Sequence, residues 1–147
     1  KRDSLHGEEV GVALVLVTEH YKKLEKAIRH GLVKVRSDSA RGLEMGLLEK
    51  TFPDTEVLEG VLADNDPNPL DEIDLEKLED QLDQIRDLIH DLPESYEIVQ
   101  KLNEAGCVTR PEAIGLTPEM IENTLRVSPY VRNRVTLLRL EKLLERV

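Results

Sequence analysis

Hydrophobic and polar positions along this chain predict one helix after another. Glu8 to Arg29 reads as a single long helix. Glu8 and Glu9 suit its positive N-terminal end, Arg29 and His30 suit its negative C-terminal end, and Gly31 is a good stop residue. The run from Val10 to Val17 is apolar all round, which predicts burial on every side. The second half keeps Leu24 and Ile28 on one face and turns Lys22, Lys23 and Lys26 to water. On this reading the helix starts in the core and ends at the surface.

Leu32 to Val35 is extended in character but too short to define a strand. Ser37, Asp38 and Ser39 are N-cap candidates for a helix through Lys50, ended by Pro53. Gly42 and Gly46 either weaken that helix, by roughly 1 kcal/mol each relative to Ala, or admit a close neighbour. Glu56 to Ala63 is a short helix with Val57, Leu58, Val61 and Leu62 as its face. Asp64 to Pro69 is a loop, read as a surface excursion within one domain. Asp74 to Leu92 is the clearest amphipathic helix, with Leu75, Leu78, Leu82, Ile85, Ile89 and Leu92 at spacings of three and four. Its opposite, acidic face reads as solvated. Glu94 to Ala105 continues after Pro93 and closes at Gly106. The tail is a series of proline-started turns. Pro111 to Gly115 is short, Thr117-Pro118 opens Glu119 to Arg126, and Ser128-Pro129 opens a helix towards Val147. No fixed-period repeat is present, which argues against a solenoid.

The sum is an all-α, multi-helix domain over residues 1–147, a length that supports a real core. With one Phe, three Tyr and no Trp, that core must be built from Leu, Ile and Val. The net charge of −10, with 30 acidic residues, argues against nucleic acid and against anionic membrane surfaces. The apolar run near the N-terminus is far short of the ~20 residues a bilayer span needs. Cys107 is the single cysteine and reads as a small buried filler; with no disulfide framework to build, the simplest compartment is the cytoplasm. The chain opens on Lys1, which suggests a piece of a longer protein.

Chemistry-bearing residues are sparse. No Gly-rich phosphate loop and no helical His-Glu-x-x-His pair occurs. His20 and His30 read as solvated helix histidines. His6, immediately before the first long helix, is the candidate that stands out. It suits either a capping role or metal ligation from a rigid helix start. One histidine cannot hold a metal, because a catalytic zinc site takes three protein ligands.

Three segments carry a resemblance. Leu5-His6-Gly7-Glu8-Glu9-Val10-Gly11 resembles an "LHGE-x-VG" motif. Leu102 to Leu116, with Ala105-Gly106 and Pro111-Glu112-Ala113-Ile114-Gly115, is similar to "L-x-x-AG-x-P-x-x-P-E-x-IGI". Ser128 to Leu138, with Pro129, Arg132 and Arg134, is similar to "AP-x-IR-x-RYT-[IV]-L". All three belong to the sn-glycerol-1-phosphate dehydrogenases, of the iron-containing alcohol dehydrogenase and dehydroquinate synthase superfamily. Two departures are visible: Val135 stands where the family has Tyr, and the proline after "AG-x" is missing at Val108-Thr109.

The resemblance implies a dehydroquinate synthase-like C-terminal helical domain on the metal and substrate side of a larger enzyme. A Rossmann-like NAD(P)-binding domain is then expected upstream, outside this chain. A divalent metal, usually zinc, would be held by one Asp and two His, of which His6 matches one. The implied reaction interconverts dihydroxyacetone phosphate and sn-glycerol 1-phosphate, the metal polarising the ketone and the nicotinamide delivering hydride. Arg132 and Arg134 have the chemistry to bind the substrate phosphate, or they are plain surface arginines. The fragment alone is expected to be inactive, and homo-oligomerisation is left open. Two alternatives stand beside this: a non-catalytic helical binding or assembly module derived from the fold, and a related polyol or alcohol dehydrogenase with another substrate.

Overall fold

Helix α1, His6–Arg29, is the longest element of the structure, a computed structural model that describes residues 4–36 and 41–147. It starts two residues ahead of the expected position. The Leu5 backbone N–H donates to the Glu8 carboxylate at 2.9 Å, so an acidic residue in the first turn satisfies one of the donors a helix start leaves open. The far end closes in a Schellman motif: Leu32 N–H donates to Ala27 C=O and Gly31 N–H to Ile28 C=O, with Gly31 at φ 66°.

The burial of α1 runs opposite to expectation. Only one stripe of the apolar run is covered, through Gly11, Val12, Val15 and Thr18, while Val10 is 52% and Leu14 50% exposed. The second half is the better buried, and Lys22 lies inside it at 7% exposure together with Glu25. The chain groups into two compact units, and α1 belongs to the one formed by residues up to Leu32 and Leu82–Pro118. There it packs on α5, Leu82–His90, and α6, Ser95–Glu104. Gly11 gives the tightest approach: a Cβ there would stand 3.4 Å from the Val108 carbonyl oxygen. Helix α6 ends as α1 does, with Cys107 N–H donating to Leu102 C=O and Gly106 at φ 74°. That turn leaves the Cys107 side chain exposed, not buried as expected.

The second unit joins Val33–Gln81 with Glu119–Val147. The extended piece after Gly31 is a strand, β1 (Val33–Val35), paired antiparallel with β2 (Leu144–Arg146) in the register Val33↔Arg146 and Val35↔Leu144. Between them lie α2 (Met45–Thr51), α3 (Thr55–Asp64), α4 (Leu75–Asp80), α7 (Pro118–Val127, in this unit from Glu119) and α8 (Leu137–Leu140). The all-α expectation is borne out, with this small ribbon added. Asp54 and Asp74 cap α3 and α4, each carboxylate accepting two backbone N–H bonds. Leu48, Val127 and Tyr130 form a buried cluster with Phe52, Leu58 and Val61 packed against it.

Four expectations fail here. The helix through Lys50 is only α2, starting at Met45; the cap candidates Ser37, Asp38 and Ser39 lie outside the described residues. Gly46 lies in α2 and Gly42 before it, and neither admits a close neighbour, since a Cβ at either would meet nothing within 4 Å. The amphipathic run from Asp74 to Leu92 breaks at Gln81, φ −99° and ψ 0°. Its halves serve different packing partners: α4 lies along β1, where Glu79 accepts from Val35 N–H at 2.7 Å, and α5 lies along α1. The helix expected from Pro129 to Val147 does not form. A 3-10 turn at Ser128–Tyr130, an irregular stretch to Thr136, α8, a second 3-10 turn at Glu141–Leu143 and β2 replace it.

Candidate functional site

The segment from Arg126 to Leu140 contains four arginines and no acidic residue, in a chain of net charge −10. The structure divides them. Arg126 turns to the Glu44 carboxylate in an ion pair. Arg139 is fully buried. Its guanidinium donates to Pro129 C=O at 3.1 Å, to Arg132 C=O at 3.4 Å and to Asn68 Oδ1 at 3.1 Å. Arg132 and Arg134 stand exposed on the irregular stretch, the Arg132 guanidinium reaching only the carbonyl of Val131 at 3.2 Å. Of the four arginines in this segment, the two singled out in the sequence are thus the ones whose guanidiniums are exposed without a carboxylate partner among the described residues.

Arg139 also occupies carbonyls that a helical tail would use. Pro129 and Arg132 carbonyls would accept from residues four positions on in a helix; here the buried guanidinium takes them, and Arg132 C=O accepts from Arg134 N–H as well. Helix α8 starts afresh at Thr136, whose hydroxyl accepts from Arg139 N–H. Below this lies Tyr130, buried, with the Arg139 guanidinium 5.4 Å and the Lys142 ammonium 4.9 Å from its ring centre. Lys142 donates to the Tyr130 hydroxyl and to Gly42 C=O, and stands 3.6 Å from Glu44. Burial, reinforced by the Glu44 charge, pushes the Tyr130 hydroxyl up to about 12. Burial pushes Lys142 and Arg139 down from their ordinary values.

His6 is the first residue of α1, in the first unit. Its side chain is 92% exposed, with Nδ1 4.0 Å from a Glu9 carboxylate oxygen. Among the described residues, no group of three His, Cys, Asp or Glu side chains is placed to hold a metal ion. The donor set therefore supplies one accessible imidazole and does not by itself fit a catalytic metal, which takes three protein ligands. His30 is an exposed helix-end residue whose ring nitrogen lies 2.6 Å from Lys26 C=O, in keeping with expectation.

The first unit holds a polar cluster that sequence reasoning missed. The buried Lys22 ammonium donates to His90 C=O at 3.1 Å and Leu92 C=O at 2.7 Å, and pairs with Glu94 at 3.1 Å. Glu25 is paired with Arg29 and lies 3.7 Å from His90 Nδ1. Leu14, half-exposed two turns before Lys22 on α1, lines an open groove of about 500 Å³ with Leu92, Ile98 and Leu102. No helix of the described residues is long and apolar enough to cross a membrane.

Comparison with known proteins matches the motif reading. The chain is similar to a glycerol-1-phosphate dehydrogenase. Over 139 residues, 94% of this chain, it is 28% identical to glycerol-1-phosphate dehydrogenase (NAD(P)+) of Geobacillus stearothermophilus. The chain spans 27% of that relative's length. No family model matches the chain, and no solved structure matches it. The resemblance carried by the three motifs is borne out as a similarity to a dehydrogenase of that name.

Proposed function

We propose that this chain is the helical, substrate-side part of a metal-dependent, NAD(P)-linked oxidoreductase that interconverts dihydroxyacetone phosphate and sn-glycerol 1-phosphate. One observation carries the reading: the similarity to a dehydrogenase of that name runs over 94% of the chain. In this reading residues 1–147 form the helical region, and a Rossmann-like nucleotide-binding domain lies elsewhere in the same polypeptide. His6 contributes one ligand to the metal from the exposed start of α1, and the other donors come from outside the described residues. Arg132 and Arg134 bind the substrate phosphate. Their guanidiniums are exposed, uncommitted to a carboxylate among the described residues, and set in a run without acids, so an incoming phosphate meets little competition. The single cysteine suits a reducing cytoplasm.

The test uses the complete gene product. NADH or NADPH oxidation is followed with dihydroxyacetone phosphate and with glycerol, dihydroxyacetone and other alcohols as controls. The reading expects turnover with the phosphorylated ketone and a loss of at least about 100-fold in kcat/KM for His6→Ala. Absence of turnover with any polyol or polyol phosphate, or an undiminished His6→Ala variant, overturns it.

A further inference from the structure

We propose that Arg139 is a positioning residue that holds the Arg132–Arg134 turn in the shape that lets both arginines engage one phosphate monoester; the inference rests on the reading of those two arginines as phosphate ligands. Residues two apart on an α-helix project to nearly opposite sides, about 200° apart. A helix from Pro129 onwards, which the apolar spacing of the tail favours, would therefore separate Arg132 from Arg134. What prevents it is Arg139. Its guanidinium draws the Pro129 and Arg132 carbonyls inward, on either side of the bend, and pins both to Asn68.

The platform behind Arg139 is itself fixed. Asn68 Nδ2 donates to Arg41 C=O at 2.6 Å, and Asn68 Oδ1 also accepts from Leu70 N–H at 3.1 Å. Arg41 in turn donates to Ile73 C=O at 2.8 Å and to Leu70 C=O. From the turn, Asn133, the residue between the two arginines, reaches back to Pro67 C=O at 3.3 Å. The loop at 65–73 thus serves as a template for the turn at 129–136. Among the described residues the acceptors of Arg139 are all neutral, so its charge is not cancelled by a carboxylate there and adds to the positive field behind the two exposed guanidiniums.

The test is a mutant cycle in the complete gene product, read as kcat and KM for dihydroxyacetone phosphate. Arg132→Ala/Arg134→Ala is expected to raise KM about tenfold or more with kcat nearly unchanged. Arg139→Met is expected to raise KM by a similar factor, and Arg139→Lys, which keeps the charge but not the forked reach, by about threefold. In the Arg132→Ala/Arg134→Ala background, either Arg139 substitution should add less than about twofold, because its effect passes through the turn. A merely structural role would instead lower kcat and act equally in both backgrounds, which overturns the inference. If Arg139→Met fails to fold, Arg139→Lys decides by the same criteria. A raised KM in Arg132→Ala/Arg134→Ala with neither Arg139 variant affecting KM overturns the inference and leaves the phosphate reading standing. An unchanged KM in Arg132→Ala/Arg134→Ala overturns both.

Discussion

Lys22 and Arg139 are both buried cations, one in each unit, and the protein answers them differently. Lys22 lies on the covered stripe of α1 and meets the end of α5, where the carbonyls of His90, its last residue, and Leu92, just beyond it, accept from the ammonium. The half-exposed Glu94 completes the set. Arg139 meets no carboxylate among the described residues; carbonyls of an irregular turn and one asparagine accept from it. The lysine ties regular elements together at their ends. The arginine replaces regular structure, taking carbonyls that a helix would otherwise use. A compact ammonium suits the converging dipole of a helix C-terminus, whereas a planar fork suits acceptors spread along a bend.

The largest expected effect comes from removing the fork. Arg139→Met should destabilise the protein by about 3 kcal/mol, because the buried Pro129 carbonyl loses its guanidinium partner while the Arg132 carbonyl and Asn68 Oδ1 each lose one of two donors. Urea denaturation measures this, and a loss under about 1 kcal/mol would mean that the turn holds without the guanidinium. Lys22→Met comes next, at about 2 kcal/mol, since the α5 end loses two charge-assisted bonds while Met fills the volume. Glu94→Gln sharpens the contrast: a half-exposed partner should contribute less than about 1 kcal/mol. If Glu94→Gln equals Lys22→Met, the carbonyls are not what holds Lys22.

The pH dependence adds a fourth test. The folded protein holds the Tyr130 proton up to about 12, above the ordinary value of 10. That contribution is complete below pH 10 and is lost as pH rises towards 12, by on the order of 2 kcal/mol. Lys142, depressed by burial, acts in the opposite sense, its charging opposing the folded state as pH falls through its own lowered value. Denaturation midpoints of the native chain should therefore fall between pH 10 and 12 relative to Tyr130→Phe; parallel curves would refute the assignment. The smallest effect is at His6. With a side chain 92% exposed, His6→Ala should shift stability by less than about 0.5 kcal/mol. A larger shift would give this histidine a structural task instead of the ligand role proposed for it.

What the sequence made legible were the ends of elements. Gly31 and Gly106 stop helices in the left-handed region, and α7 begins at Pro118, where Thr117-Pro118 announces it. These signals act within a turn of their source. The misreadings concern groups whose partners are remote. Lys22 looks solvated on a helical wheel, yet its acceptors lie 68 and 70 residues further on. Arg139 sits among leucines at helical spacing, and nothing local says that it will take Pro129 and Arg132 carbonyls instead of pointing to water. The apolar run of α1 failed for another reason. A wheel that is apolar all round predicts burial on every side, but α5 and α6 cover only the Val12–Val15 stripe and leave Val10 and Leu14 outside it. For the candidate site, the motif pointed to Arg132 and Arg134; the residue that shapes their turn was visible only in three dimensions.

Each unit is stitched from two stretches of chain that are distant in sequence. During translation, the stripe of α1 leaves the ribosome with no cover until Leu82 and the helices after it have emerged. The ribbon is slower still, since β1 waits for Leu144–Arg146. Such late, non-local closure slows folding and lengthens the time for which apolar surface is open to other chains. A nascent chain arrested before Leu82 would display Val12 and Val15 uncovered, a natural target for a holding chaperone.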